Sequence, residues 1–114
     1  MSQTYLKNID VETALELTAL VAYQEGQIVS RTLTQNAAVS ITLFAFAQGE
    51  EISTHESKGD ALVTVMDGEA TVTIGGIEHT VKTGQSIVMP ANVPHAVKGA
   101  TRFKMMLVVV FPER

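Results

Sequence analysis

Residues 49–68 read GEEISTHESKGDALVTVMDG, a stretch of short apolar runs that end at turn residues. The run 61–66 has the β-branched composition of a strand. Asp67-Gly68 predicts a hairpin from it into the run 70–74, because glycine there accepts a positive φ. The centre of the chain therefore predicts short antiparallel strands.

The same alternation of apolar runs and turn residues continues on both sides of this stretch. Gly75-Gly76 predicts a second hairpin, and residues 90–94 predict a loop, since proline cannot donate to a strand ladder. The apolar residues of 10–20 fit neither the 3.6-residue period of a helix nor the two-residue period of a strand, so this segment predicts a helical turn or an irregular lead-in. No confident helix appears, which excludes parallel βαβ architectures and favours an all-β sandwich or barrel. The other predicted strands are 19–24, 27–34, 39–47, 52–57, 77–82, 86–89, 95–98 and 103–111.

Two spaced motifs, in residues 49–68 and 84–99, resemble those of the cupin family. The first motif is Gly, five residues, His, one residue, His, three or four residues, Glu, six residues, Gly. In this sequence Gly49, His55 and Gly68 stand at matching positions. The second is Gly, five residues, Pro, one residue, Gly, two residues, His, three residues, Asn. Residues 84–99, GQSIVMPANVPHAVKG, match it at the first Gly, the Pro and, with His95, the His. The resemblance implies one cupin domain over residues 1–114, folded as an RmlC-like antiparallel jelly-roll β-barrel, with both motifs within 49–99.

Four positions depart from the family pattern. Ser57 stands at the second His of the first motif, and Ala61 stands at its Glu. Asn92 replaces the second glycine of the other motif, and Gly99 replaces its terminal Asn. The last two changes concern the loop, whereas the first two remove half of the ligands with which cupins typically hold a metal.

The resemblance implies a metal site facing the barrel lumen, with His55 and His95 as candidate ligands and a divalent transition metal (Fe, Mn, Ni, Cu or Zn) as cofactor. Two imidazoles fall short of the three protein ligands usual at a catalytic metal. Glu56 does not fill the gap, because strand alternation turns it to the face opposite His55. Asp60 lies one residue from the family's Glu position, which also turns it outward unless a bulge intervenes.

Four further residues are candidates for binding a ligand in the lumen. Ser57 shares the parity of His55, and His79 is the third imidazole of the chain. Met66 and Met89 offer adaptable apolar surface. Against these assignments, His79 is more often a satisfied, partly buried histidine, and methionines more often fill the core.

Composition narrows the functional classes. The 114 residues carry a net charge of −4 with eight Lys and Arg, which argues against a nucleic-acid partner. No cysteine is present, so thiolate chemistry and disulfides are excluded. The first residues lack the apolar region of a signal peptide, and the longest apolar run, 105–111, is too short to span a membrane. We expect a cytoplasmic protein without a membrane partner.

The run 103–111 is apolar at both parities, as is 39–47, so each predicted strand should be covered on both faces. In so small a protein this predicts a second copy and hence a homodimer. Three functions remain open: a metal-dependent enzyme of oxygenase or isomerase type acting on a small organic substrate, a non-catalytic small-molecule binder with a degenerate metal site, and a structural role.

Overall fold

The computed structural model describes residues 5–112, which form nine strands and one short 3₁₀ helix, Leu17–Leu20. All strand pairings are antiparallel, in a five-stranded sheet of order β1-β2-β9-β4-β7 and a four-stranded sheet of order β3-β8-β5-β6. This confirms the predicted all-β jelly roll. The strands are β1 Ile28–Gln35, β2 Val39–Phe46, β3 Glu51–His55, β4 Asp60–Asp67, β5 Glu69–Ile74, β6 Ile77–Lys82, β7 Ser86–Met89, β8 His95–Gly99 and β9 Phe103–Val110.

The main core lies between the two sheets. In β4, Ala61, Val63 and Val65 are buried while the residues between them are not, which is the alternation expected of a strand with one covered face. Phe46 of β2 and Phe103 of β9 are the largest fully buried side chains among the described residues, and their ring centroids lie 4.5 Å apart. Both rings are fully buried, and burial of each stabilises the barrel by roughly 1.5–3 kcal/mol.

A second cluster covers the outer face of the five-stranded sheet. Residues 5–24, here called the N-terminal strap, lie across that face, and Val21 of the strap is buried together with Leu33, Leu43 and Ala45. The strap thus covers part of the outer surface of β2 and β9, which explains why both strands are apolar at both parities.

Side chains hold the strap in place. Arg31 donates to the Leu20 carbonyl at 3.0 Å, and the Lys104 ammonium donates to the Thr18 carbonyl at 2.6 Å. The predicted strand 19–24 is therefore wrong, because these residues contact the sheet through side chains and form no strand ladder. The alternative of a helical turn in 10–20 agrees with the 3₁₀ helix.

Tyr23 anchors the end of the strap. Its hydroxyl donates a short hydrogen bond to Asp67, and its ring lies 4.6 Å from the guanidinium carbon of Arg102 and 4.9 Å from the ammonium of Lys104. Burial, and then the hydrogen bond to Asp67, raise the pKa of the Tyr23 hydroxyl. The strap is thereby fixed to β4 and β9.

One predicted turn has a different role in the structure. Gly75-Gly76 joins β5 to β6 as a hairpin, with Ile74 opposite Ile77, as expected. Asp67-Gly68 does not form a hairpin, because β4 and β5 belong to different sheets. The chain turns a corner there, and a corner needs the same positive φ of glycine that a hairpin does. Within residues 5–112 no helix is long and apolar enough to cross a membrane.

Candidate functional site

The two motif histidines meet at one end of the four-stranded sheet. His55 is the last residue of β3 and His95 is the first of β8, and the two are direct partners in the ladder. Their Nε2 atoms lie 3.1 Å apart, and the rings meet edge to face at a centroid distance of 4.4 Å. His95 is 2 % exposed, whereas His55 is exposed. The predicted pairing of these residues is therefore present in the structure.

The other nitrogen of each ring is held by the backbone. Nδ1 of His55 lies 2.8 Å from the Ser53 carbonyl oxygen, and Nδ1 of His95 lies 3.1 Å from the Val93 carbonyl oxygen. A carbonyl oxygen only accepts, so each Nδ1 must carry a proton to make its bond. In the neutral form of each ring Nε2 is then unprotonated, and the two unprotonated atoms lie next to each other.

Two neutral imidazoles cannot satisfy all of these contacts. Three contacts, two Nδ1 to oxygen and one Nε2 to Nε2, each need a proton, but two neutral imidazoles supply only two. The Nε2 contact is favourable only when a third proton or a metal ion lies at it. Burial, and then the adjacent His55, lower the pKa of His95, which disfavours the extra proton near neutral pH.

The distance between the two nitrogens fits a shared metal. With metal–nitrogen bonds of about 2.1 Å, adjacent ligands of a tetrahedral or octahedral ion lie roughly 2.9–3.4 Å apart, and the observed separation is 3.1 Å. Backbone carbonyls that fix Nδ1 of a histidine ligand are the usual way to orient its Nε2. Within residues 5–112, however, no group of three or more His, Cys, Asp or Glu side chains is gathered as a metal site. The histidines fit a metal as an incomplete set.

A cavity of about 280 Å³ opens beside the pair. Most of its wall is apolar and comes from both sheets, with His55, Glu56, Ser57 and His95 as its polar members. Such a wall suits a small, largely apolar molecule with one polar end that faces the histidines. The apolar lining residues are Ile52, Ala61, Met89, Val97, Met105, Leu107 and Val109.

Two of the predicted ligand-binding residues line this cavity and two do not. Ser57 and Met89 belong to its wall. Met66 instead packs in the second cluster under the strap, because it has the parity of the outer face of β4. His79 lies opposite Val72 on β6, the edge strand, two strand spacings or about 9.6 Å from β8. The structure therefore corrects the placement of Met66 in the lumen, and His79 is a partly buried residue that does not line this cavity.

Glu56 is the cavity residue that strand alternation excluded. Alternation fails because β3 ends at His55, whereas the sequence predicted a strand over 52–57. Glu56 consequently follows the strand and lines the cavity with both histidines. The sequence carries no signal that the strand ends at His55.

The loop between β7 and β8 forms part of the rim. The Asn92 amide donates to the Ser57 carbonyl at 2.8 Å, and the Ala91 amide donates to the Asp60 carboxylate at 2.8 Å. Asn92 has a φ of 63°, a conformation that glycine adopts freely and asparagine tolerates better than most residues. The change from the motif glycine to Asn92 therefore leaves the loop geometry intact.

Comparison with known proteins supports the fold and its family. A family model described as a cupin domain matches residues 42–111. A crystal structure of a conserved protein of unknown function from Streptococcus pyogenes is 43 % identical, covers 100 % of both chains and has a TM-score of 0.97. A cupin superfamily protein from Desulfitobacterium hafniense is 35 % identical over 96 % of this chain and 100 % of its own, with a TM-score of 0.90.

A more distant similarity to a solved structure supports the fold and nothing more. Salicylate 1,2-dioxygenase from Pseudoaminobacter salicylatoxidans is 16 % identical over 73 % of this chain and 25 % of its own, with a TM-score of 0.66. No curated protein matches the chain.

Proposed function

Because the chain belongs to the cupin family, we propose that its lumen binds a small organic molecule beside a divalent transition metal held by His55 and His95. The observation that carries the proposal is the 3.1 Å separation of two Nε2 atoms whose Nδ1 partners are both backbone carbonyls. A pair of converging lone pairs at this distance accepts a cation.

The residues of the chain have distinct tasks in this proposal. His95, buried at the base, and His55, at the mouth, present Nε2 to the metal, and the Ser53 and Val93 carbonyls fix their orientation. Met89 and the other apolar wall residues exclude water from the bound molecule. When bound, the metal supplies Lewis acidity or redox chemistry at the positions that two protein ligands leave open.

These open positions favour a metal-dependent enzyme of oxygenase or isomerase type, since a substrate can reach the metal directly. The alternative is a non-catalytic binder. It is favoured by Ser57 and Ala61, which stand where the family's other two ligands would be. In that case a carboxylate group of the bound molecule takes the place of the metal and, by its negative charge, favours the proton on the histidine pair that burial disfavours in the empty lumen.

The metal content of protein purified without an affinity tag, measured by elemental mass spectrometry, tests the proposal. We expect near one equivalent of transition metal, lost in a His55→Ala/His95→Ala double variant. Absence of metal, even after reconstitution with Fe(II), Mn, Ni, Cu and Zn, would contradict the metal site and leave the binder. A thermal-shift screen with small carboxylates would then test the binder.

We also propose a homodimer through the part of the outer face that the strap leaves open. Val108, Leu62 and Val88 are consecutive cross-strand partners and form an apolar row over three strands. Leu62 is 38 % exposed and Val88 is 52 % exposed. Light scattering should give twice the chain mass for the wild type and the chain mass for Val88→Glu; a monomeric wild type would refute the dimer.

A further inference from the structure

The incomplete ligand set raises the question of which side chain completes it. Glu56 directly follows His55, so their Cα atoms are about 3.8 Å apart. Among the described residues that line the cavity, Glu56 is the only carboxylate. Its side chain is exposed at the mouth and therefore free to change rotamer.

We propose that Glu56 supplies the third protein ligand of the metal, a carboxylate oxygen that replaces the histidine and glutamate lost at Ser57 and Ala61. This inference rests on the proposed metal site at His55 and His95. It gives two imidazoles and one carboxylate with open positions, the donor set of non-haem Fe(II) centres. The ligand comes from the residue between the two motif histidine positions, not from either of the vacated positions.

The end of β3 supports this assignment. The strand stops at His55, so Glu56 is not bound by the alternation of the strand and lines the cavity together with both histidines. A carboxylate at this position will stabilise a cation bound by the two imidazoles.

The small residues at the vacated positions leave room for the carboxylate. Ala61 is 2 % exposed and contributes only a methyl group to the cavity wall. The Ser57 hydroxyl is already engaged, since it accepts a hydrogen bond from the Gly59 amide at 3.2 Å. Neither residue competes with Glu56 for the metal. Because no three such ligands are gathered among residues 5–112, metal binding requires a rotation of the Glu56 side chain.

The test is a titration with Co(II), whose visible absorption reports the number and type of its ligands. The proteins are the wild type, Glu56→Gln, Glu56→Asp and Glu51→Gln. Glu51→Gln is the matched control, because it removes the same charge from an exposed position at the start of β3, away from the cavity. Thermal unfolding of each metal-free protein confirms that the variants fold.

We expect Glu56→Gln to weaken Co(II) binding by about tenfold or more and to change the visible spectrum. Glu56→Asp should retain part of the affinity, and Glu51→Gln should stay within about twofold of the wild type, since a distant exposed charge is screened. Equal losses in Glu56→Gln and Glu51→Gln with unchanged spectra would overturn the assignment. Wild-type affinity in Glu56→Gln would overturn it too, while leaving the proposed function in place. A wild type that binds no Co(II) would refute both.

Discussion

Gly68, the glycine that ends the first motif, is expected to be indispensable for a steric reason. Its φ of 78° alone would cost an alanine about 1–2 kcal/mol. A Cβ there would also lie 2.9 Å from both Cα and Cβ of Phe103 and would overlap the carbonyl oxygen of Arg102. Phe103 is fully buried against Phe46, so β9 cannot shift without disturbing the core. Overpacking of this kind costs typically 1–3 kcal/mol more.

Gly84 provides the matched control. It has a similar φ of 86°, but a Cβ built on it meets nothing within 4 Å. Gly84→Ala should therefore lose only the conformational part, about 1–2 kcal/mol, and Gly68→Ala should lose about 2–5 kcal/mol. The free energy of unfolding is measured by urea denaturation of the metal-free proteins. Its dependence on urea concentration should be the same in the wild type and both variants.

The difference between the two variants isolates the contact with β9. A difference of about 1–3 kcal/mol corresponds to a gap of roughly 5–20 °C in Tm for a protein of this size. Equal losses in the two variants would refute the reasoning, since they would mean that the corner at Gly68 is not pressed against Phe103.

Three further predictions concern the strap and the site. Tyr23→Phe should lose about 1 kcal/mol, because it removes the hydrogen bond to Asp67. The raised folded-state pKa of Tyr23 contributes stability that is fully present below pH about 10 and lost as the pH rises above it. Urea denaturation at pH 8 and 10.5 should show that the free energy of unfolding falls less with rising pH in Tyr23→Phe than in the wild type. Ser57→His restores a motif ligand beside the cavity and should tighten Co(II) binding by about tenfold or more, measured by titration; unchanged affinity would contradict the lumenal geometry. The lowered pKa of His95 contributes stability to the metal-free protein that is present above pH about 6.5 and lost as the pH falls through the folded-state value. The free energy of unfolding, measured by urea denaturation, should therefore fall less between pH 7 and pH 5 in His95→Asn than in the wild type.

The parts of the fold that follow from local patterns could be predicted from the sequence. The β-branched composition of the run 61–66 predicted β4, and the resemblance of the two motifs predicted that His55 and His95 lie together. The side on which Met66 lies could not be settled by its type, because methionine suits a lumen and a second core equally well.

Features that depend on tertiary contacts could not be predicted. The segment 19–24 has an apolar composition that fits a strand, but its backbone pairs with no neighbouring strand and it covers the sheet with side chains. The corner at Gly68 and a hairpin require the same residue, so only the pairing of β4 with β7 and β9 distinguishes them. Glu56 was misplaced because the predicted strand 52–57 ends at His55, so that alternation does not extend to Glu56, and no residue type marks that end.

The burial of His95 argues that the lumen serves a ligand more than it serves the fold. An imidazole that is 2 % exposed, with an unprotonated nitrogen 3.1 Å from another, stabilises the barrel less than an aliphatic side chain of similar volume would. The neighbouring positions do not compensate by filling the space: Ser57 and Ala61 are small, and about 280 Å³ stays open beside the pair. Residues that break the rule of apolar packing without a gain in stability are expected at functional sites. The pair gains a favourable contact only when a cation or a ligand joins it, so stability should increase with metal concentration by mass action.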